Sequence, residues 1–459
     1  MAAASHRRRL CLVGLNSAWY QSNPVLYYLR GMIADLPYRI QILELTVNDL
    51  LLDSLRRICA AQPDILCFSV YIWNRLYLQS LIPELKKLLP HCRIVIGGPE
   101  SETAEFGLDR FDYIIEGPGE KAFRELAEGD FEEGGLFIRK PNLHLRDIPF
   151  PYWNSDLPAL KGKLIYYETF RGCPYSCVYC LSAEDKRNEL RFDVDQPLQR
   201  AELFAELEAL ISLQLRTLKF IDRSFNVHSQ LAQVIWEYVI TSAAACEFHF
   251  EIYPDLLSEA DLHILKAAPP GRIRFEIGIQ TTNARISANC HRQTDWNKAR
   301  EILTALRNRT QVILHTDLIA GLPGEGYTSI LNSINELAAT FPHEIQLGIL
   351  KVLPGTPMQE IAKQRGYLWQ QEPPYQVLAT DKLNFGQLCR LQDLARILNL
   401  YWNKGEFSDT WKTLLHSHKA TTILLKLLNY HQDRHLPLHS MAKHKREQVF
   451  AAVTGGLHQ

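Results

Sequence analysis

At 459 residues the chain is too long for one ordinary hydrophobic core, so two or three domains are expected. Hydrophobic residues make up 46% and charged ones 22%, with a formal net charge of -1; this is the profile of a globular protein, and it excludes a disordered chain and bulk nucleic-acid binding. No apolar run approaches the roughly 20 residues that a membrane span needs, so no membrane partner is expected.

The N-terminal run MAAASHRRRLCLVGL passes from an Arg cluster straight into a strand-like segment, and reads as a solvated start rather than a signal peptide. From Leu10 to about Ala127, short apolar runs alternate with helical stretches: LCLVGL, RIQILEL, DILCFSVY and RIVIGG each precede or follow one, and FDYIIEGPGEKAFRELAEG repeats the unit more weakly. Strand and helix in this alternation predict parallel β/α units and a doubly wound, Rossmann-like domain over 1–128. The segment Gly129–Ala159 is rich in Gly, Pro, Asn and Asp and reads as a linker, bounded at 129–160.

Six further strand-like runs follow between 161 and 371: KLIYYETF, LRTLKFIDRSF, CEFHFEIYP, GRIRFEIGIQ, QVILHTDLIAG and EIQLGILKVLPG. With helices between them they predict a partial (β/α)6 barrel, whose chemistry belongs at the C-terminal strand ends. The remainder, 372–459, has apolar residues at helical spacing in LCRLQDLARILNLYWNKGEF and ATTILLKLLNYHQD and predicts a helical domain. Within it Trp402 and Trp411 read as a core pair and KHKRE as a solvated face.

The chemistry announces itself at RGCPYSCVYC, where Cys173, Cys177 and Cys180 fall in a C-x-x-x-C-x-x-C spacing directly after the first barrel strand. Three cysteines on a loop are not needed for packing. A zinc site wants a fourth ligand, and no Cys or His occurs in the next ten residues. A catalytic thiol would need one. What remains is a [4Fe-4S] cluster held at three irons, with the fourth open to an exogenous ligand. The other seven of the ten cysteines are scattered singly, which suits a reducing cytoplasm.

This arrangement resembles the radical S-adenosylmethionine (SAM) superfamily, in which SAM chelates the open iron and an electron from the cluster cleaves it to a 5'-deoxyadenosyl radical. The resemblance extends along the barrel and implies a set of SAM contacts. Tyr179 takes the aromatic position before the third cysteine. Asp222 in FIDRSFN, with Arg223 and Asn226 near it, takes the turn that meets the methionyl amine, although the usual double-acidic turn here reads Asp-Arg. Glu251 in FHFEIYP, Gln280 in FEIGIQTTN and Arg292 in NCHRQT follow, Arg292 as a partner for the SAM carboxylate. Asp317 in TDLIAGLPGE is implied for the ribose hydroxyls, and LKVLPGTPM for adenine.

A Rossmann-like domain ahead of such a barrel resembles the cobalamin-binding members of the superfamily, and the helical tail looks like that of a subfamily whose terminal domain has no assigned function. The implied corrin loops are GLNSAWYQ, FSVYIWN and IGGPES, offering Asn16, Ser17, Ser69, Tyr71, Trp73, Gly97 and Gly98. A bulky residue at Gly98 is expected to block the nucleotide tail of the cofactor and leave the cluster intact. The D-x-H-x-x-G motif that supplies a lower cobalt ligand elsewhere is missing, so cobalt would have no protein ligand. The resemblance thus implies a [4Fe-4S] cluster, SAM and cobalamin as cofactors, an electron donor for the cluster and a small-molecule or peptide substrate. The reaction would be methylation of an unactivated carbon; a non-methylating rearrangement or cyclisation and a non-catalytic iron-sulfur protein are the alternatives.

Overall fold

The computed structural model describes residues 7–101, 111–132 and 137–455. The start of the chain through His6, residues 133–136 of the expected linker and residues 456–459 of the expected helical domain lie outside the described residues. Packing divides the chain into two compact units, one of residues 1–169 with 189–219 and 244–246, the other of residues 170–188 with 220–243 and 247–459.

In the first unit β1 (Arg9–Asn16), α1 (Pro24–Met32), β2 (Arg39–Thr46), α2 (Leu51–Ala60), β3 (Ile65–Ser69), α3 (Arg75–Leu88), β4 (Arg93–Gly97), β5 (Tyr113–Ile115), α4 (Glu120–Glu128) and β6 (Phe137–Ile138) alternate as expected. The strands pair in parallel in the order β2-β1-β3-β4-β5-β6. Leu10 to Val13 on β1 and Ile65 to Phe68 on β3 are buried without alternation, as a sheet with helices on both faces requires. Ile58, Leu81, Ile82 and Leu85 from the helices close the core over one face. The order reverses between β1 and β3, so a ligand crevice is expected outside the C-terminal ends of those two strands.

The expected linker is more structured than its composition suggests. Its Phe137–Ile138 forms β6 against Ile114 and Ile115. Further on, Asp156 is buried and meets Arg30 in a two-pronged ion pair, with both N···O distances 2.6 Å. Arg30 also donates to the Pro151 carbonyl at 3.0 Å and lies 3.7 Å from the centre of the Trp153 ring. The segment is thus fastened to α1 by a desolvated guanidinium, a device that local composition cannot reveal.

The chain continues through α5 (Leu157–Leu160), β7 (Leu164–Tyr167), β8 (Phe170–Arg171), β9 (Glu189–Leu190), α6 (Pro197–Ser212), β10 (Thr217–Phe220), α7 (Ser229–Thr241), β11 (Glu247–Ile252), α8 (Glu259–Leu265), β12 (Ile273–Gln280), α9 (Ala284–Asn289), α10 (Trp296–Arg309), β13 (Ile313–Ala320), α11 (Tyr327–Ala338) and β14 (Glu344–Ile349). All six expected barrel strands are present, as β7, β10, β11, β12, β13 and β14. Within the second unit β11 to β14 pair in parallel. Unlike β1 and β3, strands β11, β12 and β13 alternate buried with half-exposed residues: their apolar side chains lie under the helices and their polar ones face inward.

After α12 (Met358–Gln364), a short antiparallel pair, β15 (Leu368–Trp369) and β16 (Val377–Ala379), precedes the helices α13 (Phe385–Tyr401), α14 (Ser408–Leu415), α15 (Ala420–Asp433) and α16 (Lys443–Thr454). The helical run expected through Phe407 ends at Tyr401, where the chain turns so that Trp402 and Trp411 pack 5.1 Å apart, each indole N–H satisfied by a carbonyl. In KHKRE, Arg446 is buried and paired with Glu406, while its neighbours remain exposed. Among the described residues no helix is long and apolar enough to cross a membrane.

Removing Asp156 leaves the Arg30 charge buried without its partner. Asp156→Ala is therefore expected to lower the stability of the first unit by about 3–5 kcal/mol, read as a fall in the urea midpoint; a loss under about 1 kcal/mol would show that water replaces the carboxylate.

Candidate functional site

The cysteine loop begins with a backbone constraint. Gly172, at φ +107°, runs so close to the next segment that a Cβ there would lie 1.6 Å from the Arg187 carbonyl oxygen, and only glycine fits. Beyond it the loop is pinned by main-chain bonds: Cys173 N–H to Asp185 O at 2.8 Å, Val178 N–H to Cys290 O at 3.1 Å, and Met358 N–H to Val178 O at 3.0 Å. The residue between the second and third cysteine positions is thereby tied on both sides, and the three thiols open onto one cavity. Cys173 and Cys177 are buried and Cys180 is half-buried. Burial pushes the Cys173 thiol up from its ordinary value. Among the described residues no three His, Cys, Asp or Glu side chains close around a single ion; thiolates that serve three corners of one cubane need not meet at a point, whereas the ligands of a zinc ion must.

The inner faces of β11, β12 and β13 supply the opposite wall. Glu251, Glu276, Gly278, Gln280 and Asp317 line the cavity with Tyr179, Arg223 and Arg292. Of the six residues expected to contact SAM, five are there, and Asp222 is not: it is buried beside the cavity, and its neighbours Arg223 and Ser224 line the wall instead. Arg223 donates to Glu251 at 3.5 Å. Gln280 has a left-handed backbone, φ +68°, at an irregularity in the pairing of β12 with β13, and keeps its place on the half-exposed face of the strand.

Asp317 is held from behind. His315, two residues earlier on the same face, donates from Nε2 to Asp317 at 3.2 Å and reaches Glu344 through Nδ1 at 2.9 Å. Burial alone would lower the imidazole, but the two carboxylates outweigh it and push His315 up to about 10, so it is a cation. Arg274 continues the chain of charges, meeting Glu344 at 2.9 Å and Glu247 at 3.1 Å. His249 and Glu276 pair at 2.9 Å.

Several polar atoms in the cavity wall await a partner. The Tyr179 hydroxyl, Gln280 Oε1 and Arg292 Nε are buried without a hydrogen bond. Gly278 lets the Gln280 side chain pack against the strand, since a Cβ there would lie 2.3 Å from the Gln280 side-chain amide nitrogen. Three thiols and unsatisfied polar groups around one cavity fit a cluster with a polar small molecule beside it. Sequence reasoning missed Tyr175, Tyr253, Glu276, His249 and His315. The last three were legible as the polar positions of an alternating pattern; Tyr175 and Tyr253, whose rings stack 4.2 Å apart, carried no such signal.

The corrin residues expected in the first unit cluster at the β1/β3 crevice. Tyr71 and Trp73 stack with their rings 4.4 Å apart, and the Trp73 indole N–H donates to the Leu15 carbonyl at 3.0 Å. Trp19 and Trp73 remain exposed, giving an aromatic surface for a flat apolar macrocycle. Ser69 accepts from Asn23 at 2.8 Å, while Asn16 and Ser17 are occupied within their own loop by Gln21. A buried Asn23 Oδ1 without a partner marks a polar vacancy at the same strand ends, so the crevice fits a cofactor in part through a residue that sequence reasoning passed over. Gly98, at φ +113°, would place a Cβ 2.5 Å from the Val70 carbonyl oxygen. A substitution there displaces the β3 loop whether or not a ligand is bound, and Gly97, with its nearest atom 3.5 Å away, is the cleaner position to probe.

Behind Gln280, Thr281 and Ser329 hydroxyls donate to Glu325 Oε1 at 2.7 and 2.9 Å, and Oε2 is buried unpartnered. Burial, only partly offset by those two donors, pushes this carboxyl up from 4.5 to about 7. The folded chain holds its proton more tightly than the unfolded chain, so this contribution to stability is complete below about pH 4.5 and is lost as the pH rises through 7. Glu325→Gln, neutral at all pH, is expected to raise the stability of the second unit at pH 8.5 by on the order of 2 kcal/mol and to leave it unchanged near pH 4.5; urea midpoints at both values check this, and an equal effect at the two would remove the titration from the account.

Comparison with known proteins places these two sites in a family context. The model for the B12 binding domain matches residues 12–127, that for the radical SAM superfamily residues 167–337, and that for a protein of unknown function, DUF4080, residues 363–454. A 2-(S-pantetheinyl)-carbapenam-3-carboxylate methyltransferase of Streptantibioticus cattleyicolor is 23% identical over 411 residues, covering 80% of this chain and 58% of that protein. The cobalamin-dependent radical SAM methyltransferase TokK of Streptomyces tokunonensis is 24% identical over 348 residues, covering 67% of this chain and 49% of its own length. The chain therefore spans about half the length of the curated relatives it matches. Among solved structures, the radical SAM methyltransferase TsrM of Kitasatospora setae, with tryptophan and a SAM analogue bound, shares the fold at TM-score 0.65 and 18% identity over 79% of this chain and 77% of that one. The cobalamin-dependent radical enzyme OxsB, with aqua-cobalamin and SAM bound, does so at TM-score 0.67 and 13% identity over 99% and 76%. The chain thus carries a radical SAM domain at 167–337, with a B12-binding domain before it and a helical DUF4080 region after it.

Proposed function

We propose that the chain is a cobalamin-dependent radical SAM methyltransferase that acts on an unactivated carbon of a small-molecule or peptide substrate. The observation that carries this is the meeting of three thiols with unsatisfied Tyr179, Gln280 and Arg292 atoms at one cavity, in a chain that also has a B12-binding domain. When bound, the cluster and SAM supply a carbon radical able to remove hydrogen from the substrate, and cobalamin supplies the methyl group.

The chain's own residues bind and orient. Cys173, Cys177 and Cys180 would hold three of the cluster irons. Tyr179, Gln280, Arg292, Glu251 and Asp317 surround the remaining space with donors and acceptors suited to a zwitterionic nucleoside, with Arg292 toward its carboxylate and Asp317 toward its hydroxyls. The imidazolium of His315 beside Asp317 favours the charged form of that carboxyl against the burial that pushes it up. In the first unit the Tyr71–Trp73 stack would carry one face of the corrin and Ser69, Asn23 and Gly97 its tail. The scattered thiols suit a reducing cytoplasm, where an external low-potential electron donor would serve the cluster.

Anaerobic reconstitution should load one [4Fe-4S] cluster, and Cys173→Ala, Cys177→Ala or Cys180→Ala should each abolish it, because two thiolates do not retain a cubane, whereas Cys246→Ala and Cys389→Ala should not. A normal cluster in Cys177→Ala would overturn the ligand assignment. Turnover with a strong reductant should yield both S-adenosylhomocysteine and 5'-deoxyadenosine, and hydroxocobalamin should bind stoichiometrically and be lost in Gly97→Val. Deoxyadenosine without S-adenosylhomocysteine would favour rearrangement over methylation, and no SAM cleavage at all would leave a non-catalytic iron-sulfur protein.

A further inference from the structure

Arg292 is held in the cavity more firmly than a flexible ligand clamp needs to be. Its Nη2 donates to the Gly278 carbonyl on β12, and Nη1 lies 3.9 Å from the Cys177 sulfur, within reach of a hydrogen bond to a thiolate. The guanidinium sits 4.6 Å from the centre of the Tyr253 ring, and Tyr253 stacks in turn on Tyr175, which belongs to the cysteine loop itself. Arg292 is fixed within its own turn, where its N–H meets Ser287 O at 3.0 Å and Ser287 Oγ donates back to Arg292 O at 2.9 Å, and the adjoining Cys290 carbonyl ties that turn to the cysteine loop by accepting from Val178 N–H. Arg292 and Cys177 are therefore parts of one braced assembly.

The partners of this cation are a carbonyl, a π-face and a sulfur. None of its hydrogen bonds or ion pairs among the described residues is to a carboxylate, and the Asp255 carboxyl feels its charge only through space. A cation hydrogen-bonded to a cluster thiolate and to no carboxylate stabilises the state with more negative charge. We propose that Arg292, acting through the Cys177 thiolate, raises the reduction potential of the cluster and so makes its one-electron reduction easier before any SAM is bound. The inference rests on the cluster assignment made above. The half-reaction is simple: one electron from a one-electron reductant such as dithionite enters the oxidised cluster, no bond forms or breaks, and the guanidinium keeps its protons throughout. A role confined to gripping the SAM carboxylate, or to bracing the loop, would leave the potential of the SAM-free protein unmoved.

The test is an anaerobic redox titration of reconstituted, SAM-free protein, following the reduced cluster by electron paramagnetic resonance. Arg292→Gln is expected to lower the reduced-to-oxidised ratio at the wild-type midpoint by roughly tenfold, equal to about 59 mV for one electron. Tyr253→Leu, which frees the guanidinium but keeps its charge, should produce a smaller shift in the same direction. A cluster-loaded Arg292→Gln protein with the wild-type midpoint overturns the proposal. Should that variant fail to hold a cluster, the wild-type protein decides: with 15N-arginine incorporated, pulsed resonance of the reduced, SAM-free cluster should show a 15N coupling, and its absence overturns the proposal equally. Wild-type protein that takes up no cluster would instead sink the cluster assignment on which it rests.

Discussion

The site depends on a charge-pairing constraint inside the second sheet. Strands β11 to β13 hide one face under helices and turn the other inward, and that inner face carries Glu247, His249, Glu251, Arg274, Glu276, His315 and Asp317. Charges removed from bulk water persist only when paired. Here the pairing runs as a chain, Glu247 to Arg274 to Glu344 to His315 to Asp317, and its last member is a cavity wall. An apolar inner face would collapse into a filled barrel core of the ordinary kind. A polar one, with its charges paired, keeps the space beside the cysteines open and its carboxylates in fixed positions.

Against that wall the cysteine loop is positioned by its backbone rather than by its side chains. Gly172 allows the approach to Arg187, and Val178 is bonded on one side to the Cys290 turn and on the other to the start of α12. The thiols can therefore be aimed before any metal arrives, which lowers the ordering cost of assembling a cluster from three ligands rather than four. The same economy shows in the first unit, where Gly98 lets β4 turn hard against Val70 and the crevice between β1 and β3 is bordered by stacked aromatic rings.

How legible was this from the residues alone? The periodicities were sufficient for both sheets: unbroken apolar runs for strands covered on two faces, alternating ones for strands covered on one. The spacing of Cys173, Cys177 and Cys180 was specific because three thiols at that interval have few other uses. Five of the six expected SAM contacts line the cavity: Glu251, Gln280 and Asp317 on the polar phase of a strand, Tyr179 in the cysteine loop and Arg292 in the turn after α9. Asp222 failed that test because a one-residue step at a strand end reverses which side chain faces inward, and Arg223 took its place. Tyr253 and Tyr175 could not be paired in advance, being 78 positions apart with no shared period.

The sequence by itself determined the order of the domains, the parallel β/α character of both sheets and the place of the three-cysteine loop after the first strand of the second sheet, because each is written in local periodicity or spacing. Only the tertiary structure decided what holds those parts in place. The pairing of Arg30 with Asp156 turned a composition that reads as linker into a fastened segment, the closure of α13 at Tyr401 made a core of Trp402 and Trp411, and the approach of Arg292 to Cys177 put a cation beside a cysteine sulfur. Each is a contact between residues distant in the chain, fixed by packing and desolvation, and no local pattern carries that information.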